Sequence, residues 1–289
     1  MKLAIGTAQF GMDYGLANQA GQVCIEEAGQ ILQLGSEMGI TTLDTAIGYG
    51  YSEKILGKLG VDNFNVVTKL PALPDGVSDV DRWIESEMLG SLNRLGVNTV
   101  YGVLLHRSSD LLGDRGRHVI RSLKSLKRNG MSQKTGISIY DPTELDYIPE
   151  GASIDIVQAP LNLVDRRLET SGWLKRLSEQ GIEIHTRSTF LQGLLIIPRN
   201  AIPKEFERWS KLWDIWHNGL NKYQCTATAA CLSYPLSLPE VDRVVVGLDT
   251  KRQLEELTSI AKMNVTPHDW TFMMSDEAQL INPQHWTHL

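Results

Sequence analysis

A chain of 289 residues with 42% hydrophobic content can bury a sizeable core, and no apolar run reaches the length of a membrane span. A formal net charge of −6 argues against general affinity for nucleic acid or an anionic membrane. Three cysteines (Cys24, Cys225, Cys231) form no CxxC pair and leave an odd count, which argues against a disulfide framework and points to a reducing cytoplasm. The apolar run after Lys2 is too short for a signal peptide.

Strand and helix patterns then alternate from end to end. A strand over Leu3–Thr7 leads through a Gly-containing loop to a helix over Ile25–Met38. The second strand, Thr41–Asp44, delivers a carboxylate at its edge, and Tyr49 follows between Gly48 and Gly50, where the backbone can turn tightly. Ser52 reads as the cap of a helix whose apolar face is Ile55, Leu56 and Leu59, with Gly60 at its end. Strands over Asn65–Lys69 and Val100–His106 flank a helix at Val80–Leu95. A helix at Arg117–Asn129, stopped by Gly130, precedes strands at Lys134–Ile139 and Ile154–Gln158. A helix near Ser171–Gln180 and a strand at Ile182–Arg187 come next. A loop through Pro198 and Pro203 then leads to Trp209, Trp213 and Trp216, whose spacing puts them on one helical face packed against the rest. A helix at Thr226–Tyr234, a strand at Arg243–Gly247 and a helix at Lys251–Lys262 complete the pattern.

Eight alternations with nearly continuous apolar strands fit a closed parallel (β/α)8 TIM barrel occupying 1–289 as a single domain. An open doubly wound sheet would need a GxGxxG turn, which Gly6-Thr7-Ala8-Gln9-Phe10-Gly11 does not supply. Residues 263–289 form a C-terminal extension long enough to lie over or beside the barrel mouth, or to pack on the outside. His285 and His288 in it have no partner cluster to complete a metal ligand set, so no metal site is expected.

Asp44-Thr45-Ala46, Tyr49-Gly50, Ser52-Glu53 and Leu56-Gly57 together resemble the second βα unit of the aldo-keto reductases. Lys69 and His106, closing the next two strands, strengthen the resemblance, which weakens gradually between Ile5-Gly6-Thr7 and about Leu257. In a parallel barrel all strand C-termini open on one face, so Asp44, Tyr49, Lys69 and His106 are expected to converge. Hydride reduction of a carbonyl places negative charge on oxygen, which a proton must meet. A phenol of ordinary pKa about 10 is a slow acid at neutral pH, and an adjacent ammonium favours its phenolate. The resemblance implies Tyr49 as general acid, Lys69 as its tuner, Asp44 as the partner of Lys69, and His106 as the group that orients the substrate oxygen.

The resemblance also implies a nicotinamide cofactor site. Gly6, Thr7 and Asp44 begin it, and Ser138 and Gln158 hold the carboxamide, with Ile139 where the family has asparagine. Arg187, Ser188, Leu191 and Gly193 form the loop over the pyrophosphate. Arg187 replaces the aromatic residue that commonly stacks on the nicotinamide, a departure that suggests anionic or phosphorylated substrates. Gly247, Lys251, Gln253 and Glu256 resemble the adenosine segment. A helix N-terminus beside Lys251 and Arg252 suits a 2′-phosphate, so NADP(H) is expected over NAD(H), although Asp249 and Leu257 depart from that pattern. The expected activity is the NAD(P)H-dependent reduction of an aldehyde or ketone, sugar-like or anionic, in the cytoplasm. The partner is then a small-molecule carbonyl compound, with no nucleic acid or membrane involved. The alternative is a slow-turnover, cofactor-binding redox-sensing subunit, which would have no need for Tyr49 and Lys69 together.

Overall fold

The computed structural model describes residues 1–18, 20–263 and 267–288, the last two by backbone only. Positions 264–266 and 289 of the expected extension, and the side chain of His288, lie outside the described residues. Among the described residues eight parallel strands close into a barrel in sequence order. They are β1 (Leu3–Gly6), β2 (Thr42–Asp44), β3 (Asn65–Leu70), β4 (Val100–Leu105), β5 (Ser132–Ser138), β6 (Ile156–Pro160), β7 (Glu183–Arg187) and β8 (Arg243–Gly247). Closure runs through β1 and β8, where Ile5 pairs with Val246 and Gly6 with Gly247.

The outer helices are α1 (Ile25–Glu37), α2 (Ser52–Leu59), α3 (Val80–Leu95), α4 (Gly113–Arg128), α5 (Trp173–Glu179), α6 (Ser210–Tyr223), α7 (Ala227–Ser237) and α8 (Lys251–Met263). The crossover between β5 and β6 has no such helix and is carried by a short 3-10 segment, Pro142–Tyr147. Its Asp141 and Glu144 cap each other's backbone. Helix α3 shows why the sequence stops where it does. Asp79 accepts from the Arg82 N–H at its start, and Gly96 takes the left-handed conformation at its end.

The floor of the barrel is polar. Glu183, at the start of β7, accepts from Tyr101 Oη at 2.7 Å and Lys134 Nζ at 2.5 Å, and pairs with His185 Nε2 at 2.8 Å. These partners hold the Glu183 carboxyl at about 2 against the opposing effect of burial. The floor is thus filled by side chains of β4, β5 and β7.

The tryptophans join the main hydrophobic core, Trp209 in the turn before α6 and Trp213 and Trp216 on the helix itself. Trp213 and Trp216 are fully buried, and their indole N–H groups donate to the carbonyls of Phe206 and Leu195. Trp216 lies 4.7 Å from Trp270 of the C-terminal segment, and Phe206 lies 4.9 Å from Trp286. The tail therefore shares a core with α6 and the segment before it. It touches the mouth at its rim, where the Ser275 N–H donates to the Val164 carbonyl after β6.

Candidate active site

The loop between β2 and α2 is fixed by close backbone approach. Gly50 has φ +55°, and a Cβ there would meet the Gly11 carbonyl at 2.3 Å. A Cβ on Gly11 would fall 1.8 Å from the Tyr49 carbonyl oxygen. The N–H of Tyr51 donates to the Gly11 carbonyl at 3.2 Å, so the loop carrying Tyr49 is clamped onto the segment after β1.

Ser52 is not the cap expected of it. Tyr51 stands at the cap position without a side-chain bond, and Ser52 is buried as the first residue of α2. Its hydroxyl donates to Thr7 Oγ1 at 2.8 Å and lies 3.0 Å from Thr45 Oγ1. Thr7 Oγ1 in turn donates to the Asp44 carbonyl at 3.0 Å. Three hydroxyls thus tie together the ends of β1, β2 and α2. Glu53, one letter of the sequence pattern, is 2% exposed and accepts from Thr68 Oγ1 at 2.7 Å, Ser91 Oγ at 2.6 Å and Arg94 Nε at 2.7 Å. It anchors α2 to β3 and α3, a role the sequence did not disclose.

Asp44, Tyr49, Lys69 and His106 converge on the C-terminal face. Lys69 Nζ donates to Asp44 Oδ1 at 2.7 Å and to the Thr45 carbonyl at 2.9 Å. It sits 5.1 Å from the centroid of the Tyr49 ring. The His106 ring meets that of Tyr49 edge-on, with centroids 5.9 Å apart and planes at 77°. Burial pulls the Lys69 pKa below its usual value, opposed by Asp44.

The Tyr49 phenol lies above its usual pKa, chiefly because burial disfavours the phenolate, with Asp44 adding to the effect and Arg187 opposing it. Burial dominates the phenol, and the cation that opposes it is Arg187. The phenol keeps its proton at neutral pH. An alkoxide is a stronger base than a phenolate, so transfer to one remains downhill.

Burial lowers the His106 pKa to about 4, helped by the nearby Lys69 and Arg187 cations. The imidazole is expected to titrate near 4 in the protein without cofactor, a value read directly from its NMR resonance against pH. Because the folded value lies below the unfolded one of 6.5, the associated stability is complete above that pH. It is lost as the pH falls through about 4.

Beside the tetrad, Ser138 and Gln158 pair in register on β5 and β6 and are both buried. Gln158 Nε2 donates to Asp44 Oδ2 at 2.6 Å, whereas its Oε1 is buried without a partner. An amide N–H₂ group in front of it would supply the missing donor, and the nicotinamide carboxamide fits that demand.

Arg187 lies at the mouth. Its guanidinium stacks 4.3 Å over the Tyr140 ring and donates to the Ile139 carbonyl at 2.9 Å. The following loop has left-handed φ at Ser188, Leu191 and Gln192, none of them glycine, as loops at ligand sites often do. Asn162 Nδ2 holds it through the Ser188 carbonyl at 3.0 Å.

An open groove runs from this centre outward between β1 and β8. Gly6, Thr7, Asp44, Tyr49, Arg187, Ser188, Gly193, Gly247, Gln253 and Glu256 line it. Of the other residues expected to hold cofactor, Leu191 is buried in the hydrophobic core. Ser138, Gln158 and Lys251 stay outside the lining, the first two buried beneath its inner end. Tyr14, Ala17 and Asn18 line the groove from the first loop, and Asp249 from the last. Those loop residues carry no strand or helix pattern that would mark them in sequence. The Leu16 N–H donates to the Gln192 carbonyl at 2.8 Å, and a Cβ on Gly193 would meet Ala17 Cβ at 2.6 Å. The loops after β1 and β7 therefore touch across the groove.

A sequence model of the Aldo/keto reductase family matches residues 2–275. The chain is 26% identical over 288 residues to the NADH-specific methylglyoxal reductase of Escherichia coli (strain K12), covering 87% of this chain and 86% of that protein. An oxidoreductase of Bacillus subtilis (strain 168) is 26% identical over 247 residues, 78% of this chain and 79% of that one. The solved holo form of aldo-keto reductase AKR11C1 from Bacillus halodurans shares the fold with a TM-score of 0.76 at 20% identity. That match covers 98% of this chain and 94% of the other.

Proposed function

This chain belongs to the aldo/keto reductase family, and from that premise we propose that Tyr49 is the proton donor in its reduction of a carbonyl compound. The protein is a nicotinamide-dependent carbonyl reductase. The observation that carries the assignment of roles is the buried Asp44–Lys69 pair at 2.7 Å, with the Tyr49 ring beside its ammonium and His106 edge-on to that ring.

A bound nicotinamide supplies the hydride. Tyr49 holds a proton for the carbonyl oxygen, and its high pKa keeps that proton in place until the oxygen gains charge. Lys69 keeps positive charge beside the phenolate left behind, and Asp44 holds the ammonium in position. Neutral His106 carries one ring N–H and orients the substrate oxygen. Gln158 Oε1 and Ser138 would hold the carboxamide, and Gly193 and Gly247 would let backbone approach the diphosphate.

The substrate in this reading is a small aldehyde or ketone, sugar-like or bearing a negative charge. Arg187 supports the charge, because its guanidinium fork stands at the open end with Tyr140 bracing one face. The methylglyoxal-reducing relative supports a small carbonyl. Steady-state loss of reduced-nicotinamide absorbance across paired neutral and anionic aldehydes, ketones and keto-sugars tests this. Turnover is expected, and Arg187→Ala should raise KM for the anionic members by about tenfold while sparing the neutral ones. Cofactor binding with no turnover across the panel would instead mark a redox-sensing subunit.

A further inference from the structure

The groove changes character along its length. Its inner end holds Arg187 beside Tyr49, and its outer end holds Asp249, Gln253 and Glu256 at the start of α8. The reacting ring of a dinucleotide must lie beside Tyr49, so the length of the molecule carries its adenosine ribose to the outer end. We propose that this end selects the dinucleotide without a 2′-phosphate, NADH over NADPH, with the Asp249 carboxylate accepting from the ribose 2′-hydroxyl. The inference rests on the functional reading above and concerns which cofactor that site accepts.

Three observations support it. The first is an acceptor in want of a donor. Asp249 Oδ1 is buried without a partner, and Oδ2 receives one long bond, from Gln253 Nε2 at 3.4 Å. Burial and the charge of Asp13 push the Asp249 pKa up, so a hydroxyl donor would relieve an existing cost. A ribose diol supplies such donors, and a 2′-phosphate supplies acceptors and repulsion.

The second is the distribution of cations. Among the described residues lining the groove, Arg187 is the single cation, and it stands at the inner end. The expectation that Lys251 and Arg252 would receive a phosphate is not supported by their placement, since neither lines the groove.

The third is the start of α8, which is already capped. The Lys251 N–H donates to Glu27 Oε1 at 2.6 Å, a carboxylate from α1. The Asp249 N–H donates to Gln253 Oε1 at 2.7 Å, and the Gln253 N–H to Thr250 Oγ1 at 3.2 Å. Donors that would otherwise meet a phosphate are thus taken, one of them by a negative charge. A 2′-phosphate would add about −1.5 to −2 of charge in the company of Asp249, Glu256 and Glu27.

Dissociation constants for NADH and NADPH, read from quenching of tryptophan fluorescence in the whole chain, test the proposal without a substrate. NADH is expected to bind on the order of 100-fold more tightly than NADPH. Asp249→Ser should weaken NADH by about tenfold and leave NADPH unweakened. Asp249→Asn, which keeps an acceptor, should fall between. Glu27→Gln should tighten NADPH and leave NADH unchanged. Equal or tighter binding of NADPH by the unaltered chain overturns the proposal. So does an unchanged NADH/NADPH ratio in Asp249→Ser or in Asp249→Asn, each checked for native circular dichroism. Quenching by neither cofactor would overturn the functional reading itself, which separates the two failures.

Discussion

Tyr49→Phe is expected to lower kcat by roughly 10²–10⁴-fold while the cofactor still binds. The substitution keeps the ring, its edge-on contact with His106 and its place beside Lys69, and removes a single hydroxyl. The loss should therefore fall on kcat and kcat/KM together, because the proton is needed only as charge develops on the substrate oxygen. A drop confined to KM, or a variant that turns over at the parental rate, would remove Tyr49 from the proposed role. Lys69 is a poorer probe. Removing it leaves Asp44 buried with Gln158 as its remaining side-chain partner, so loss of fold and loss of chemistry would be confounded.

Glu53→Leu is expected to destabilise the protein by about 3–5 kcal/mol, because the partners of a buried carboxylate are stranded. Thr68 and Ser91 would lose the acceptor of their buried hydroxyls, and Arg94 the partner of its Nε. Arg94 Nη2 is already buried without a bond, so losing the Nε partner leaves two of its donors unmatched. In a chain of this size the shift in Tm would be on the order of 10 °C. Glu53→Gln keeps an oxygen for the two hydroxyls but turns an N–H₂ toward Arg94, and should lose an intermediate amount. Thermal melts and denaturant midpoints would check both. A Glu53→Leu protein that melts with the parent would show that α2 is held by its apolar face alone.

The difference between these two variants shows what the chain discloses about itself. The ends of β2, β3 and β4 were legible because a parallel barrel opens all strand C-termini on one face. A carboxylate, an amine and an imidazole placed there must meet. Glu53 stood in the same sequence pattern, yet nothing in its spacing says that it turns inward to β3 rather than outward to water. Strand β5 begins two residues before the position read from sequence, because Ser132 and Gln133 are polar and carry no strand pattern, and it continues through the charged Lys134. Its acceptance depends on Glu183, 49 positions away. The tryptophans carried a correct helical periodicity but no indication of which surface they meet. Part of that surface is the C-terminal segment, where Trp216 meets Trp270 far along the chain, and part is the segment after β7, through the Leu195 carbonyl. Arg187 is unusual in the sequence itself, whereas its stacking on Tyr140 joins the end of β7 to the loop after β5, 47 positions earlier, which no local spacing marks.

The handclasp of Leu16 with Gln192 has a kinetic meaning. A dinucleotide lying along the groove would pass this contact, and its release would be slowed by whatever time the two surface segments take to part, whereas a small carbonyl compound at the inner end would not. Nucleotide loading is then expected to precede substrate and spent nucleotide to depart last, an order that product-inhibition patterns would check.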